Sequence, residues 1–386
     1  MARTWCWNMI IVIKGYYGRF NLGDEKMVEI FTRKLSNMFP HATLNFFNAS
    51  PKFYYEKHSL NTPSPLETGR RFNLVREIRK LFIVLKSDLF ILGGGTVITD
   101  KHSNLHLIQN LMYFLLRKIF RKKSMIISVG ATRLNTKLAK FCVRKFINCA
   151  DLVTIRDEWS FKYLTEYIST KGNIVQTEDM VWLSIDQTNF PNPKGDSKAK
   201  IGLCVLPYNK ATFDNSSADI ELGDSLLDEL KKLLNKNPNI EYHFIPIQYG
   251  LDNNLDYEYS LALSKKIDSI VHLPKCEEDK IALLGQMDIV VSMRLHALMY
   301  AYSAGSSIVA ISHNPKIESF MKAISLEDNC LELQNISNLS KMLEYAIEED
   351  RKVDCEKIHE NVRRKKILAE MNFDLISSCF YEGLNE

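Results

Sequence analysis

Several features that would assign this chain to a familiar class of protein are missing from its sequence. No apolar run reaches the roughly 18 uncharged residues that a membrane-spanning helix needs, so contact with a membrane would be made from its surface. No GxGxxG, GxSxG, HExxH or P-loop lysine motif is present, which argues against dinucleotide binding and the common hydrolase and NTPase chemistries. The chain also has no internal repeat and no low-complexity segment.

Metal-site spacing and strong net charge are missing as well. The eight cysteines are scattered without metal-ligand spacing, which predicts reduced thiols in a cytosolic protein and neither a metal nor a cofactor. The net charge of +4, from 50 basic and 46 acidic residues, is too small to indicate nucleic-acid binding. Local basic runs at 117–123 and 363–366 are interpreted as solvated helix faces, with a membrane or polyanion surface as the alternative.

What remains is a pattern of apolar strands alternating with amphipathic helices, which predicts an α/β protein with parallel sheets. A length of 386 residues suggests two domains. We expect a doubly wound domain at 1–185, a polar linker at 186–199 and a second α/β domain at 200–386, with a cleft between them. The short apolar run at 9–13 ends at Lys14 without a cleavage site, so it is predicted as a first strand and not as a signal peptide.

The most informative stretch is 287–321, which predicts a strand, a short helix and a second strand. Arg294 and His296 fall where the first strand ends and the helix begins, and Lys316 follows the second strand. Open α/β sheets bind ligands at this edge, and a helix N-terminus favours anions. The segment therefore predicts an anion site, in which Arg294 binds a phosphate or carboxylate as a fork and His296 transfers a proton.

A structural interpretation of the same residues is equally open at this point. His296 could be a core histidine at a helix start, and Arg294 could be paired with a carboxylate. The spacing of these residues does not decide between the two interpretations.

Glycine turns in the N-terminal half follow predicted strands. Gly93, Gly94 and Gly95 come directly after a short buried strand, where glycine lets a ligand or a neighbouring helix approach the backbone. An earlier glycine-rich turn contains Gly23 and leads to Asp24, a predicted helix N-cap. A phosphate-binding role and a purely geometric one are both open for these turns.

Charged residues follow three more strands of this half. Asp100 closes the glycine segment and is a candidate base or cap, while Asp179 lies at the end of a predicted strand at 173–176. Arg156 follows a strand and could reach an anion, although an ion pair with Asp157 or Glu158 is equally ordinary.

Four segments together resemble the polysaccharide pyruvyl transferase family: GYYGRFNLGDE, ILGGGTVITD, IRDEWSFKYL and SMRLHALMYAYSAGSSIVAISHNPKIESFM. They occur in family order over residues 10–325, and the RLH turn followed by Pro-Lys after the next strand is the most specific of them. The resemblance implies two Rossmann-like doubly wound domains facing a cleft, a GT-B-like fold. It also implies transfer of a pyruvyl group from phosphoenolpyruvate to sugar hydroxyls of a surface glycan or its lipid-linked precursor, forming a ketal.

By the same resemblance, the C-terminal domain is the donor side, where Arg294 and Lys316 would hold the anionic groups of phosphoenolpyruvate and His296 would be the general acid. Asp24, Asp100 or Asp179 would take a hydroxyl proton, while Asn21 and the glycines would shape the acceptor pocket. His313 stands where an aromatic residue is common in the family, and the turn at 130–133 lacks a second close glycine, which puts a role for Arg133 in doubt.

Two other functions fit the same architecture. A GT-B-type glycosyltransferase would use a nucleotide sugar, but no ribose-binding carboxylate is evident near the RLH turn. A catalytically silent partner in a glycan-assembly complex is the third hypothesis, which the retained Arg294, His296 and Lys316 disfavour. We expect a cytoplasmic protein that could bind peripherally to the inner face of the membrane, in which case the acceptor would be lipid-linked.

Overall fold

The computed structural model describes residues 9–48, 74–101, 103–186, 198–208, 216–249, 254–349 and 354–382. The chain divides into two compact units. The first contains residues up to Arg19, then Gly23–Ser184, and a return segment that starts at Lys365. The second contains Phe20–Leu22 and Ile185–Arg364.

A parallel sheet of six strands forms the centre of the described part of the first unit, in the order β2-β1-β3-β4-β5-β6. The strands are β1 (Ile10–Tyr17), β2 (Thr43–Asn48), β3 (Leu89–Gly93), β4 (Lys123–Val129), β5 (Leu152–Ile155) and β6 (Ile174–Gln176). The strands β3, β4 and β5 are almost wholly buried because helices cover both faces of the sheet.

The helices of this unit lie in two layers. They are α1 (Leu22–Met38), α2 (Leu74–Lys86), α3 (Leu105–Ile119), α4 (Lys137–Cys149) and α5 (Glu158–Lys162), with helical turns at Tyr163–Tyr167 and Met180–Ser184. The connections from β2 to β6 all advance in one direction across the sheet, so right-handed crossovers place α2, α3, α4 and α5 on one face. The connection from β1 to β2 runs the other way and places α1 on the opposite face.

A buried arginine closes the amino-terminal side of this sheet. Arg117 of α3 is fully buried, and its guanidinium donates to the carbonyl oxygens of Val84, Ser87, Asp88 and Lys123. It also donates to the Ser87 hydroxyl at 2.9 Å. One side chain therefore satisfies backbone acceptors from α2, from the turn between α2 and β3, and from β4 at once.

The last long helix, α12 (Cys355–Glu382), corrects the predicted boundary of the second domain. Its segment from Lys365 belongs to the first unit, not to the C-terminal domain to which the sequence assigned it. Asn372 is fully buried there, and its amide oxygen accepts from the hydroxyls of Thr154 and Thr177. These hydrogen bonds, together with a Lys365–Glu178 ion pair, explain the assignment.

The second unit contains a further parallel sheet of six described strands, in the order β12-β11-β10-β7-β8-β9. The strands are β7 (Ala199–Cys204), β8 (Ile240–Phe244), β9 (Ile270–Val271), β10 (Ile289–Ser292), β11 (Ser307–Ser312) and β12 (Cys330–Glu332). Its helices are α6 (Ser216–Lys236), α7 (Leu255–Ser264), α8 (Glu277–Leu284), α9 (Leu295–Ser303), α10 (Pro315–Ala323) and α11 (Leu339–Glu349), with helical turns at Glu327–Asn329 and Leu333–Asn338.

The predicted alternation of strands and helices is confirmed in both units, with four omissions. The sequence analysis missed β2, α7, α10 and β12, which are short or lie beside segments without clear periodicity. The proposed linker lies mostly outside the described residues. The seven cysteines among the described residues are free thiols.

Candidate functional site

The predicted anion site lies at one edge of the second sheet. Strands β10 and β11 are parallel neighbours, with Ser292 in register with Ala310. Arg294 is the N-cap of α9 after β10, His296 lies in the first turn of α9, and Lys316 lies in the first turn of α10 after β11. The crossover therefore brings these three side chains to the carboxyl ends of adjacent strands, as predicted.

Arg294 is held by a buried carboxylate. Its Nε and Nη2 donate to the two oxygens of Asp256 at 3.1 and 2.5 Å, and Asp256 is 1% exposed. The structural alternative for Arg294 is thus observed: a carboxylate occupies one edge of its guanidinium. The same pair fixes the orientation of the guanidinium, as a preorganised anion site requires.

Local hydrogen bonds shape both turns. The Ser292 hydroxyl accepts from the Arg294 N–H at 2.8 Å and donates to the Arg294 carbonyl, which sets the turn before α9. In the second turn, the Asn314 side chain accepts from the Lys316 N–H at 3.2 Å and caps α10. His296 is 8% exposed, so its ring is largely shielded from water.

Asn21 belongs to the second unit, apart from the glycines with which the sequence analysis grouped it. It forms an isolated antiparallel bridge with Gln248, whose N–H donates to Asp256 at 3.0 Å. Because Asp256 also binds Arg294, Asn21 lies on the Arg294 side. The buried Lys280, which sequence reasoning did not single out, donates to the neighbouring Phe20 carbonyl at 3.2 Å.

In the first unit, the glycine loop after β3 lies against the start of α1. Gly94 and Gly95 have φ values of +67° and +74°, a left-handed conformation that favours glycine. A Cβ at Gly95 would lie 2.9 Å from Asp24 Oδ1, and one at Gly93 would meet the Phe31 ring. Asp24 lies inside the first turn of α1, so the N-cap prediction was wrong; its carboxylate instead faces the glycine loop, and Gly23 lies beside it in the same turn.

Tyr17, at the end of β1, also contacts the glycine loop, which sequence reasoning did not anticipate. Its hydroxyl donates to the Gly93 carbonyl. Burial raises the pKa of Tyr17 well above its ordinary value, and the nearby Asp24 and Glu25 raise it further. The phenol is therefore a neutral donor that fixes the first residue of the loop.

Arg156 connects the glycine loop with the strand end that carries Asp179. Its Nη1 binds Asp179 Oδ2 at 2.5 Å and its Nη2 donates to Thr96 Oγ1 at 3.1 Å. The interpretation that Arg156 pairs with Asp157 or Glu158 was wrong, since Asp157 caps α5 by accepting from the Ser160 N–H. Arg156 and Asp179 are both nearly fully buried, so the pair acts as a rigid support for the loop.

Asp100 closes a turn. Its carboxylate accepts from the backbone N–H groups of Asn135 and Thr136 at 2.7 and 2.9 Å and from the Asn135 side chain. These bonds fix the segment that leads into α4. Asp100 therefore acts like a cap, one of the two roles that the sequence analysis considered for it.

A further polar cluster in the first unit was not evident from the sequence. Lys14 of β1 donates to the side-chain oxygens of Gln109 and Asn110 at 2.6 and 2.5 Å, and its Nζ lies 5.1 Å from the centre of the Tyr113 ring. Burial, followed by the nearby Lys80, lowers the pKa of Lys14 to about 7.

We expect the free energy of unfolding of the Lys14→Met variant to depend less on pH than that of the wild type, because the buried lysine that titrates is gone. The lysine has an ordinary pKa of 10.5 and a folded pKa of about 7, with Glu77 opposing the shift. The unfolded chain thus binds more protons between these values, so the free energy of unfolding rises with pH across this window, by at most about 1.4 kcal/mol per pH unit. Urea unfolding of wild type, Lys14→Met and the exposed-lysine control Lys137→Met would measure it. A wild-type slope in Lys14→Met would contradict the expectation.

The sequence matches the family model of polysaccharide pyruvyl transferases over residues 21–315. The match covers about three quarters of the chain and includes the glycine loop, Arg156 and the RLH turn. This chain belongs to the polysaccharide pyruvyl transferase family. No curated protein matches it by sequence.

Solved structures show the same fold at low sequence identity. A glycosyltransferase from Rickettsia africae ESF-5 matches with a TM-score of 0.64 and 11% identity over 97% of this chain and 99% of the other. The UDP-GlcNAc 2-epimerase of Neisseria meningitidis, bound to UDP-GlcNAc, matches with a TM-score of 0.60 and 13% identity over 95% and 99%. Sucrose-phosphate synthase from Thermosynechococcus elongatus matches at 0.56 and 11% over 97% and 99%. This transferase-family member thus has the GT-B-like fold of two Rossmann-like units.

None of the helices in the described part of this family member has the length and apolar character that would let it cross a membrane. Within the same residues, no three metal-ligating side chains converge.

Proposed function

We propose that this protein transfers the pyruvyl group of phosphoenolpyruvate to two hydroxyls of a sugar, forming a cyclic ketal on a surface glycan or its lipid-linked precursor. The observation that carries the proposal is the position of Arg294, His296 and Lys316 at the carboxyl ends of β10 and β11, within the matched family segment or directly after it. Phosphoenolpyruvate carries both a phosphate and a carboxylate, so it needs several cations in one place. We propose no further cofactor and a cytoplasmic location, where this donor is available.

The reaction balances with groups of this kind. Protonation of the methylene carbon makes it a methyl group and leaves an oxocarbenium-like centre at the carbon that carries the phosphate. One sugar hydroxyl adds to that centre and loses its proton, which restores the proton used. The second hydroxyl then displaces phosphate, which leaves with the remaining proton. An acid, a base and fixed cations therefore suffice.

The donor side is assigned to the second unit. Asp256 occupies the Nε edge of Arg294, so the remaining Nη1 side of the guanidinium would bind the donor together with Lys316. His296 would protonate the methylene carbon, since its first-turn position puts it beside these cations and imidazole changes charge near neutral pH.

The acceptor side is assigned to the first unit. Among the three carboxylate candidates, Asp24 is favoured as the base because it faces the glycine loop. Asp100 and Asp179 are engaged with backbone N–H groups and with Arg156. Gly93, Gly94 and Gly95 would let the sugar approach the backbone, and Arg156 would hold the loop in place.

A nucleotide-sugar glycosyltransferase is the alternative to be tested, since solved structures of the same fold include a protein named as a glycosyltransferase and an epimerase bound to UDP-GlcNAc. We expect phosphoenolpyruvate, and not UDP-sugars, to raise the melting temperature of the full chain. A ligand that binds only the folded state adds about 2.7 kcal/mol at a hundredfold excess over its Kd. Differential scanning fluorimetry over a concentration series of each ligand would measure the shift.

The variants for this test follow from the Asp256 pair. Arg294→Ala would leave a buried carboxylate without its partner and destabilise the unit itself. A change in its melting temperature would then combine a loss of stability with a loss of donor binding. Arg294→Lys keeps a charge but loses the fork, and Lys316→Ala removes the second cation. Both should reduce the shift with phosphoenolpyruvate, whereas the exposed control Lys341→Ala should not. A shift with UDP-sugars alone would favour the glycosyltransferase.

A further inference from the structure

The outer face of α2, α3 and α4 in the first unit exposes an unusual amount of apolar surface. Of the 21 large apolar side chains that are exposed among the described residues, twelve lie on these helices or directly after α3. The twelve are Leu74, Val75, Ile78, Phe82, Leu105, Ile108, Met112, Leu115, Ile119, Phe120, Leu138 and Phe141. We refer to them as the apolar face.

Helix α3 carries the centre of this apolar face. Its exposed positions 105, 108, 112, 115 and 119 recur at spacings of three and four, so they form one stripe along all 15 residues of the helix. These side chains are between 37% and 68% exposed. The opposite stripe, with Leu107, Phe114 and Arg117, is buried against the sheet. A helix that is apolar on two faces needs a second apolar partner on the outside.

The charge of the same segment identifies that partner. Residues 74–149 contain fifteen lysines and arginines but three acidic residues, a formal charge of +12 in a chain of +4. The rest of the chain therefore carries −8. Several of these cations are exposed beside the apolar face: Arg79, Lys86, Lys118, Arg121, Lys137, Lys140, Arg144 and Lys145.

Apolar side chains bordered by lysine and arginine match an anionic lipid surface, where the apolar groups enter the acyl boundary and the cations contact phosphates. A protein partner would have to supply both an apolar groove and many acidic groups. We infer that α2, α3 and α4 form a docking face for an anionic lipid bilayer, to which this protein binds without spanning it. This face is separate from the proposed pyruvyl transfer and does not depend on it.

Vesicle flotation of the full chain would test the inference. Wild type should float with vesicles of phosphatidylcholine and phosphatidylglycerol, should stay unbound with phosphatidylcholine alone, and should be released by high salt. Lys137→Gln/Lys140→Gln should lower the partition coefficient by about 25-fold. Ile108→Ser/Leu115→Ser should lower it by at least about tenfold, although its melting temperature should not fall.

Matched controls come from the second unit. Lys231→Gln/Lys341→Gln removes two exposed lysines, and Ile220→Ser/Leu261→Ser removes two apolar side chains of comparable exposure. Both should float like wild type. Absence of flotation, or an equal loss in controls and test variants, would overturn the inference. Concentration-dependent dimers in analytical ultracentrifugation that only Ile108→Ser/Leu115→Ser abolishes, without lipid binding, would overturn it in favour of a second copy of the chain.

Discussion

His296→Gln is expected to lower kcat for pyruvyl transfer by about 10²- to 10⁴-fold, the usual contribution of a positioned general acid. Glutamine retains much of the side-chain volume at this shielded position but cannot deliver a proton. The affinity for phosphoenolpyruvate should fall much less, because the histidine acts on the carbon protonated in the transition state and not on the anionic groups of the bound donor.

Two readouts separate this role from a binding role. Steady-state kinetics with phosphoenolpyruvate would give kcat, and the thermal-shift titration would give the donor affinity of the same variant. His359→Gln, on the exposed side of α12, should retain both. An equal loss of kcat and donor affinity in His296→Gln would make His296 a binding residue and would leave the acid to be found elsewhere.

Arg117→Ala is expected to lower the free energy of unfolding by about 4 kcal/mol or more. The side chain is fully buried and donates to four carbonyl oxygens and one hydroxyl. Alanine would remove these donors from buried acceptors and leave a cavity in place of the side chain, although the Val84 carbonyl would still accept from the Ser87 hydroxyl. Thermal and urea unfolding would measure the loss.

The neighbouring Lys118→Ala is the control, because Lys118 is exposed and makes a single described contact, to the Asn148 carbonyl at 3.1 Å. Its effect should stay within about 0.5 kcal/mol. Arg117→Lys should fall between the two, as an ammonium reaches fewer of the acceptors. Equal stability of Arg117→Ala and Lys118→Ala would contradict the conclusion that the Arg117 hydrogen bonds hold α2, the turn before β3 and β4 together.

The RLH crossover could be predicted because its signals are local. An apolar run, a three-four periodicity and a glycine stop define β10, α9 and β11, and the structure has the predicted strand, short helix and second strand within 287–321. The parallel connection then puts Arg294 and Lys316 on one edge by topology alone. The same reasoning correctly placed the glycine loop at the end of β3.

The partners of those residues could not be predicted, because they are distant in sequence. Asp256 lies 38 residues before Arg294, and Asp179 lies 23 residues after Arg156. Periodicity and turn signals carry no information about such pairs. The position of Asn21 beside the Arg294 network, through Gln248, likewise depends on a bridge that only the fold defines.

The return of the chain through Asn372 has a consequence for synthesis. Domains that are continuous in sequence can fold as they leave the ribosome, with the N-terminal one first. Here the first unit must keep Thr154 and Thr177 without their buried acceptor until residue 372 has emerged, about two hundred residues later. The residues of the second unit are therefore all synthesised before those of the first unit are complete, although the first unit contains the earlier sheet.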